Sequence, residues 1–411
     1  MKNSRLLAVF PILICLAACN PAPPPTQTTF QSEYPKGSFG YDLDFLKQSD
    51  SVLVLNTKDG NSQVIVSPKY QAKVFTSTDS GVNGRSFGWI NYKTFAQTSL
   101  DAHMNAYGGE DRLWLGPEGG KFSIFFRPRN EMTFNHWHTP TAFDFERWTL
   151  TMKSENKVSL SKSTRILNYL GLISSLNIVR DIEILEPANE KKMLGIDFDN
   201  KVKTVAFTTK NTIINTGPFP WYQNSGAPCL WNLDMFTPSP GAVIVVPYDS
   251  SGVGKKATTD YFGQIPPDRL KFGKGVILFK ADGKSRGKIG VPPMRAKNVA
   301  GSYDAKNNVL TIIQFDLDPK GTYLNQEWRT DRPPFSGDAV NAYNDGPLQN
   351  GTQMGPFFEL ESVSPAAFLK PQEGMSHTHS VFHFTGDKGE LNQIALKVLG
   401  ISLQDVQAAF K

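Results

Sequence analysis

Two carboxylates spaced two residues apart, Glu359 and Glu361, and three histidines share one short stretch near the C-terminal end, FFELESVSPAAFLKPQEGMSHTHSVFHF, from Phe357 to Phe384. Side chains two apart on a strand share a face, so Glu359 and Glu361 are expected to project together. The same parity puts His377, His379 and His383 on one face of the following strand, with Phe382 and Phe384 on the other. Carboxylates and imidazoles are the groups that exchange protons near neutrality. The stretch therefore predicts proton-transfer or sugar-binding chemistry on an all-β scaffold.

A second histidine pair, His136 and His138, lies in NHWHTP. In an extended segment both would face one way, with Trp137 opposite, and both are candidate acid partners for Glu361. With His377 and His379 they make two His-x-His pairs, a spacing by which a strand can chelate zinc or iron. Such a site requires the two strands to meet, which the spacing alone does not provide, so no metal or cofactor is expected.

The block GGEDRLWLGPEGGKFSIFF places Glu110, Asp111 and Arg112 beside Trp114, with Glu118 in a Pro-Glu-Gly-Gly turn. Charged groups can bond sugar hydroxyls while an indole stacks on the pyranose face. A tight turn with an internal ion pair would use the same residues. The segment NQEWRTDRPPFSGDAVNAYNDGP, Asn325 to Pro347, reads as a long loop over one end of the fold. Its Trp328, Arg329, Asp338, Asn341, Tyr343, Asn344 and Asp345 are candidates to line a pocket. No phosphate loop of the Gly-x-x-x-x-Gly-Lys type and no Gly-x-Ser-x-Gly elbow occurs in the chain.

The elements that must position these groups are mostly strands. SVLVLNTKDGNSQVIVS reads as a hairpin turning at Asp59-Gly60. VILFKADGKSRGKIGV repeats that logic at Asp282-Gly283, and VAGSYDAKNNVLTIIQFDLD at Asn307-Asn308. WTLTMKSENKVSLSKSTRI gives two strands joined at Glu155-Asn156, and VKTVAFTTKNTIINTG and PGAVIVVPY add more. Aromatic residues make up 11% of the chain, with 28 Phe, enough to fill two inner sheet faces. Helix is expected only around Tyr41 to Gln48 and over the tail from Glu390 to Phe410, which packs on the body of the fold. The expectation is a large antiparallel β-sandwich with few short helices.

Lys2 and Arg5 precede a short apolar run ending Leu16-Ala17-Ala18-Cys19, the pattern of a secretory signal with a lipobox. Residues 1–18 then form the signal peptide and 19–38 a lipidated Cys19 followed by a Pro/Thr-rich tether. Residues 39–411 form a single β-sandwich domain. Asn20 replaces the aspartate that favours inner-membrane retention, which gives an outer-membrane or periplasm-facing address in a bacterial envelope. Of the three cysteines only Cys229 then remains, so neither an intramolecular disulfide nor a cysteine zinc site can form. The formal charge of +5 is scattered without a long basic run, which leaves nucleic-acid binding no electrostatic footprint.

The segment ELESVSPAAFLKPQEGMSHTHSVFHF resembles the C-terminal signature of galactose-mutarotase-like proteins, in which a Leu-Glu pair precedes a Leu-Lys-Pro turn and the last strand. LWNL, Leu230 to Leu233, is similar to the Asn-Leu that ends their middle motif. With GPEGGKFSIFF, NDGP and FFELES, it also resembles an uncharacterised family of bacterial lipoproteins in that superfamily. The resemblance implies a mutarotase-like supersandwich and a carbohydrate partner. It further implies epimerase-type chemistry, with Glu361 as base, Glu359 its like-charged neighbour, and Asn232 near the substrate. Aldose 1-epimerases also carry a histidine four residues before that Asn, where this chain has Pro228. Two other readings stay open: a glycan-binding lipoprotein without catalysis, and a polysaccharide lyase or hydrolase using the same cleft.

Overall fold

The computed structural model describes residues 30–411 except Val253 and Gln349. The signal peptide, Cys19 and most of the tether lie outside the described residues. The chain divides into two units, Met1–Gln31 and Ser32–Lys411, and the second holds every element described below.

Three antiparallel sheets organise this unit. A small sheet pairs β1 (Leu53–Asn56), β2 (Gln63–Ser67) and β3 (Lys73–Thr78) in that order. A ten-stranded sheet runs β11 (Leu270–Phe272), β12 (Val276–Lys280), β10 (Ala242–Pro247), β14 (Val299–Asp304), β15 (Val309–Phe315), β18 (Gly374–Gly386), β8 (Val202–Asn215), β7 (Ile173–Ile184), β6 (Lys157–Leu167) and β5 (Thr149–Lys153). A five-stranded sheet runs β13 (Gly287–Val291), β16 (Val340–Asn344), β17 (Phe358–Val363), β9 (Cys229–Phe236) and β4 (Arg112–Gly116). The five-stranded sheet packs across the ten-stranded one through β9 against β8 and β18. This is the expected antiparallel β-sandwich.

Turn chemistry explains most of the pairings. β1 and β2 meet around Asp59-Gly60, where Gly60 takes a φ of +72° that only glycine adopts without cost. β14 and β15 close at Asn307-Asn308, with Asn308 left-handed at +54°. β5 and β6 close at Glu155-Asn156. The hairpin expected at Asp282-Gly283 does not form. β12 lies in the ten-stranded sheet and β13 in the five-stranded one, so this turn carries the chain from one layer to the other.

Helices cover the remaining apolar faces. α1 (Phe39–Lys47) is capped by Ser38, whose hydroxyl accepts from the Tyr41 amide, and it packs Phe39 and Leu46 on Ile65 and Phe75. A single turn, α2 (Tyr92–Phe95), follows, and α3 (Pro187–Leu194) begins on a proline, which needs no amide partner there. The tail is two helices, α4 (Lys388–Leu399) and α5 (Leu403–Ala408), separated at Gly400 with φ +73°. Leu391, Ile394, Leu399, Leu403 and Val406 cover Leu310, Ile312, Phe382 and Phe384 on the outer face of the ten-stranded sheet. Among the described residues no helix is long and apolar enough to cross a membrane.

The layer between the two large sheets is partly polar. Arg180 of β7 pairs with Asp111 at 3.1 Å, and Asn232 donates to the same carboxylate at 2.8 Å. Ser362 Oγ lies 2.8 Å from both His377 Nε2 and His379 Nδ1, and His379 Nε2 lies 2.7 Å from Asp234. Buried polar groups need such partners, since each unmade bond costs about 1–3 kcal/mol. Burial pushes the Asp234 carboxyl up to about 7 against the pull of His379. Burial alone would lower His379, but Asp234 beside it outweighs that and the net shift is upward.

Candidate functional site

The outer face of the five-stranded sheet carries the site. Antiparallel partners share a face, so the register assembles it directly. Arg112 and Trp114 on β4 pair with Leu233 and Trp231 on β9, and Leu233 and Met235 pair with Glu361 and Glu359 on β17. Glu361 and Glu359 pair in turn with Asn341 and Tyr343 on β16, and Tyr343 pairs with Lys288 on β13. Five strands thus aim one parity of side chains into one cleft. Loops border it with Glu118, Trp137, Phe262, Arg286, Trp328 and Met354.

Two buried ion pairs cross its floor. Lys288 Nζ and Trp231 Nε1 both donate to Glu361 Oε2 at 2.9 Å. Arg112 Nη2 donates to Glu359 Oε1 at 2.5 Å, and its guanidinium sits 5.2 Å from the Trp114 ring centre. Burial pushes the Glu359 carboxyl up to about 8, with Arg112 opposing and the Glu361 charge adding to the rise. Burial also raises Glu118, partly offset by Lys288. Burial would lower Lys288, but Glu361 and Glu118 outweigh it and raise it.

Indoles form the walls. Trp114 meets Trp231 edge to face at 5.6 Å, and Trp137 stacks with Trp328 at 5.7 Å. Several polar atoms here are buried without a hydrogen-bond partner among the described residues: Glu361 Oε1, Arg112 Nε and Trp137 Nε1. Buried polar groups are normally satisfied, so their convergence on one cleft marks a place where a ligand completes the bonding. Apolar ring faces with a few charged groups suit the CH face and hydroxyl rim of a sugar.

The candidate residues separate by parity. Glu361, Glu359, Arg112, Trp114, Glu118 and Trp328 come together in or beside the cleft. His377 and His379 do share a face, but that face looks into the layer between the sheets, where they bond Ser362 on the reverse side of β17. Neither reaches Glu361 from there. His136 bonds the Glu131 carbonyl, and the exposed His138 bonds the Ala102 carbonyl and stacks on His103. It is Trp137 between them that lines the cleft.

Asn232 lies in the inter-sheet layer on Asp111, and Asn344 ties down the Gly283–Ser285 turn, so neither faces the cleft. Asp345 accepts from the Tyr343 hydroxyl just behind the lining. Asn341 and Tyr343 sit on β16 rather than in a loop. Among the described residues no three His, Cys, Asp or Glu side chains are placed to hold a metal ion. Lys288, Arg286 and Trp231 were not legible as site residues, because an isolated Lys or Arg in KSRGKIGV carries no signal until its strand is placed.

The fold and site together define an antiparallel β-sandwich with a charged, indole-walled cleft on its smaller sheet. The chain belongs to a family of unknown function (DUF6786), whose model matches residues 37–410. No curated protein matches it. Among solved structures it is similar to the Slr1438 protein of Synechocystis sp. PCC 6803, at 13% identity over 82% of this chain and 97% of that one, with a TM-score of 0.47. It is also similar to a protein provisionally titled an aldose 1-epimerase from Escherichia coli K12, at 12% over 81% and 98%, TM-score 0.47. A galactose mutarotase-like protein from Lactobacillus casei ATCC 334 shares 10% over 81% and 100%, TM-score 0.45. Likeness at this level says nothing of substrate or reaction.

Proposed function

We propose that this chain is a carbohydrate-handling lipoprotein, anchored through lipid on Cys19, whose cleft takes a mono- or oligosaccharide. The observation that carries this reading is the convergence of four indoles and two buried ion pairs on one cleft that retains unpartnered polar atoms. In a catalytic version Glu361 is the base, since its Oε1 is buried and without a partner. The acid is then not a histidine. Glu118 fronts the same cleft, is raised by burial and makes no ion pair among the described residues, so it is the group that holds a proton for the ring oxygen.

Binding without turnover is favoured by a different observation: Lys288 and Trp231 both clamp one oxygen of Glu361. Glu361→Gln separates the two versions. Loss of anomer exchange with sugar affinity kept within a few-fold supports the base. Absence of exchange in the unaltered protein, with sugar still bound, supports the binding version. If no sugar binds at millimolar concentration, the carbohydrate reading fails. Anchoring is tested by fractionation: Cys19→Ser should move the protein from the membrane fraction to the soluble one, and an unchanged distribution would remove the lipid anchor.

A further inference from the structure

We infer that the sugar taken by this cleft is acidic, and that Arg286 holds its carboxylate; this rests on the carbohydrate reading above. Three cations front the cleft. Arg112 is committed to Glu359 and Lys288 to Glu361. Arg286 makes no ion pair or hydrogen bond with any described side chain, and its guanidinium sits over Phe262, 3.8 Å from the ring centre. An arginine stays charged at every physiological pH and offers a planar fork that matches a carboxylate.

Its backbone is held firmly. Asn344 donates to the Ser285 carbonyl at 2.8 Å, and Gly346 packs so closely that a Cβ there would stand 2.5 Å from the Arg286 nitrogen. The fork is therefore fixed at one end and stacked at the other, with its donors open to the cleft's contents.

The other unpartnered atoms point to the same ligand. Arg112 Nε and Trp137 Nε1 are buried donors with no acceptor, and an indole N–H can only donate. The unpartnered acceptor among the buried atoms here is Glu361 Oε1. A neutral sugar's hydroxyls donate as readily as they accept, whereas a carboxylate only accepts. A site with two buried, unpartnered N–H donors and one cation outside any ion pair or side-chain hydrogen bond among the described residues selects the second. The anion is a carboxylate rather than a phosphate because a planar monoanion matches the one fork that is free, whereas a phosphate dianion calls for a second cation, and Arg112 and Lys288 are already paired.

Calorimetry on the purified protein with galactose, galacturonate, glucose, glucuronate and a hexose phosphate tests this. A uronate should bind about 10-fold or more tighter than its neutral hexose, the scale of one charge-assisted bidentate contact. Arg286→Gln should abolish that preference, bringing the ratio of uronate to hexose affinity to about one, while keeping the melting temperature. Arg286→Lys, which keeps the charge but not the fork, should retain only part of it. Equal affinity for uronate and hexose, or a preference that survives Arg286→Gln, overturns the inference and leaves the carbohydrate reading standing. Tighter binding of the hexose phosphate than of the uronate overturns the carboxylate assignment. If none of the sugars binds, both readings fall.

Discussion

Lys288 Nζ lies 2.9 Å from Glu361 Oε2 on the floor of the cleft, and both side chains are almost fully withdrawn from solvent. Breaking such a pair strands one charge in a low-dielectric site, a cost of about 3–5 kcal/mol. Lys288→Met should therefore destabilise the fold by that order, and Lys288→Met with Glu361→Gln should recover most of the loss. A double-mutant cycle by chemical denaturation measures it; strictly additive losses would mean the two groups are not coupled.

The indoles should divide into wall and support. Trp328 is only half-buried on its loop, whereas Trp114 is buried against Trp231 and Phe125. Trp328→Ala should weaken sugar binding about tenfold, ~1.4 kcal/mol, with little change in melting temperature. Trp114→Ala should lower affinity and also cost about 3–5 kcal/mol of stability. Titration and thermal melts on the same two variants check both, and unchanged affinity in each would return the indoles to a purely structural role.

Acid should unfold the protein partly through His377. Burial, reinforced by the neighbouring His379, pushes its imidazole down to about 3. The unfolded chain protonates this histidine near the ordinary value of about 6.5, whereas the folded protein does not until about 3. The contribution of His377 is therefore intact above about 6.5 and is lost as pH falls, by at most ~1.4 kcal/mol per pH unit. His377→Gln should flatten the decline in denaturation midpoint between pH 6.5 and 4. An unchanged slope would remove His377 as the cause.

The Cys229 thiol should report on unfolding. It is completely buried in β9, and burial raises it to about 12. Thiolate is the reactive form, so a thiol reagent should leave Cys229 unmodified in the native protein and label it only as denaturant opens the sandwich. Rapid labelling of Cys229 in the native protein would contradict the buried placement of β9.

The sequence could be read where the rule was local. Alternation along FFELES placed Glu359 and Glu361 on one face, and turn residues marked the hairpins at Asp59-Gly60 and Asn307-Asn308. The helical tail was also visible, together with its packing on the sheet, although the break at Gly400 was not. What alternation cannot say is which of two sheets a strand joins, or what lies against each face. The Asp282-Gly283 turn was therefore read as a hairpin when it links the layers. His377 and His379 were grouped correctly with each other but set beside a carboxylate from which β17 itself separates them. Lys288, the actual partner of Glu361, comes from a strand 73 positions away.

β17 alternates Glu359 and Glu361 toward the cleft with Leu360 and Ser362 toward the opposite layer, and β9 does the same with Trp231 and Leu233 against Asn232 and Asp234. Specificity and foldability are thereby encoded at different parities of the same strands. A lineage, or a laboratory library, can vary position 233, and positions 112 and 359 together as a pair, to explore new ligands while the Asp111, Asn232, Asp234 and Ser362 framework keeps the two sheets in register. Drift at the first set changes what the protein recognises; drift at the second erodes the fold itself.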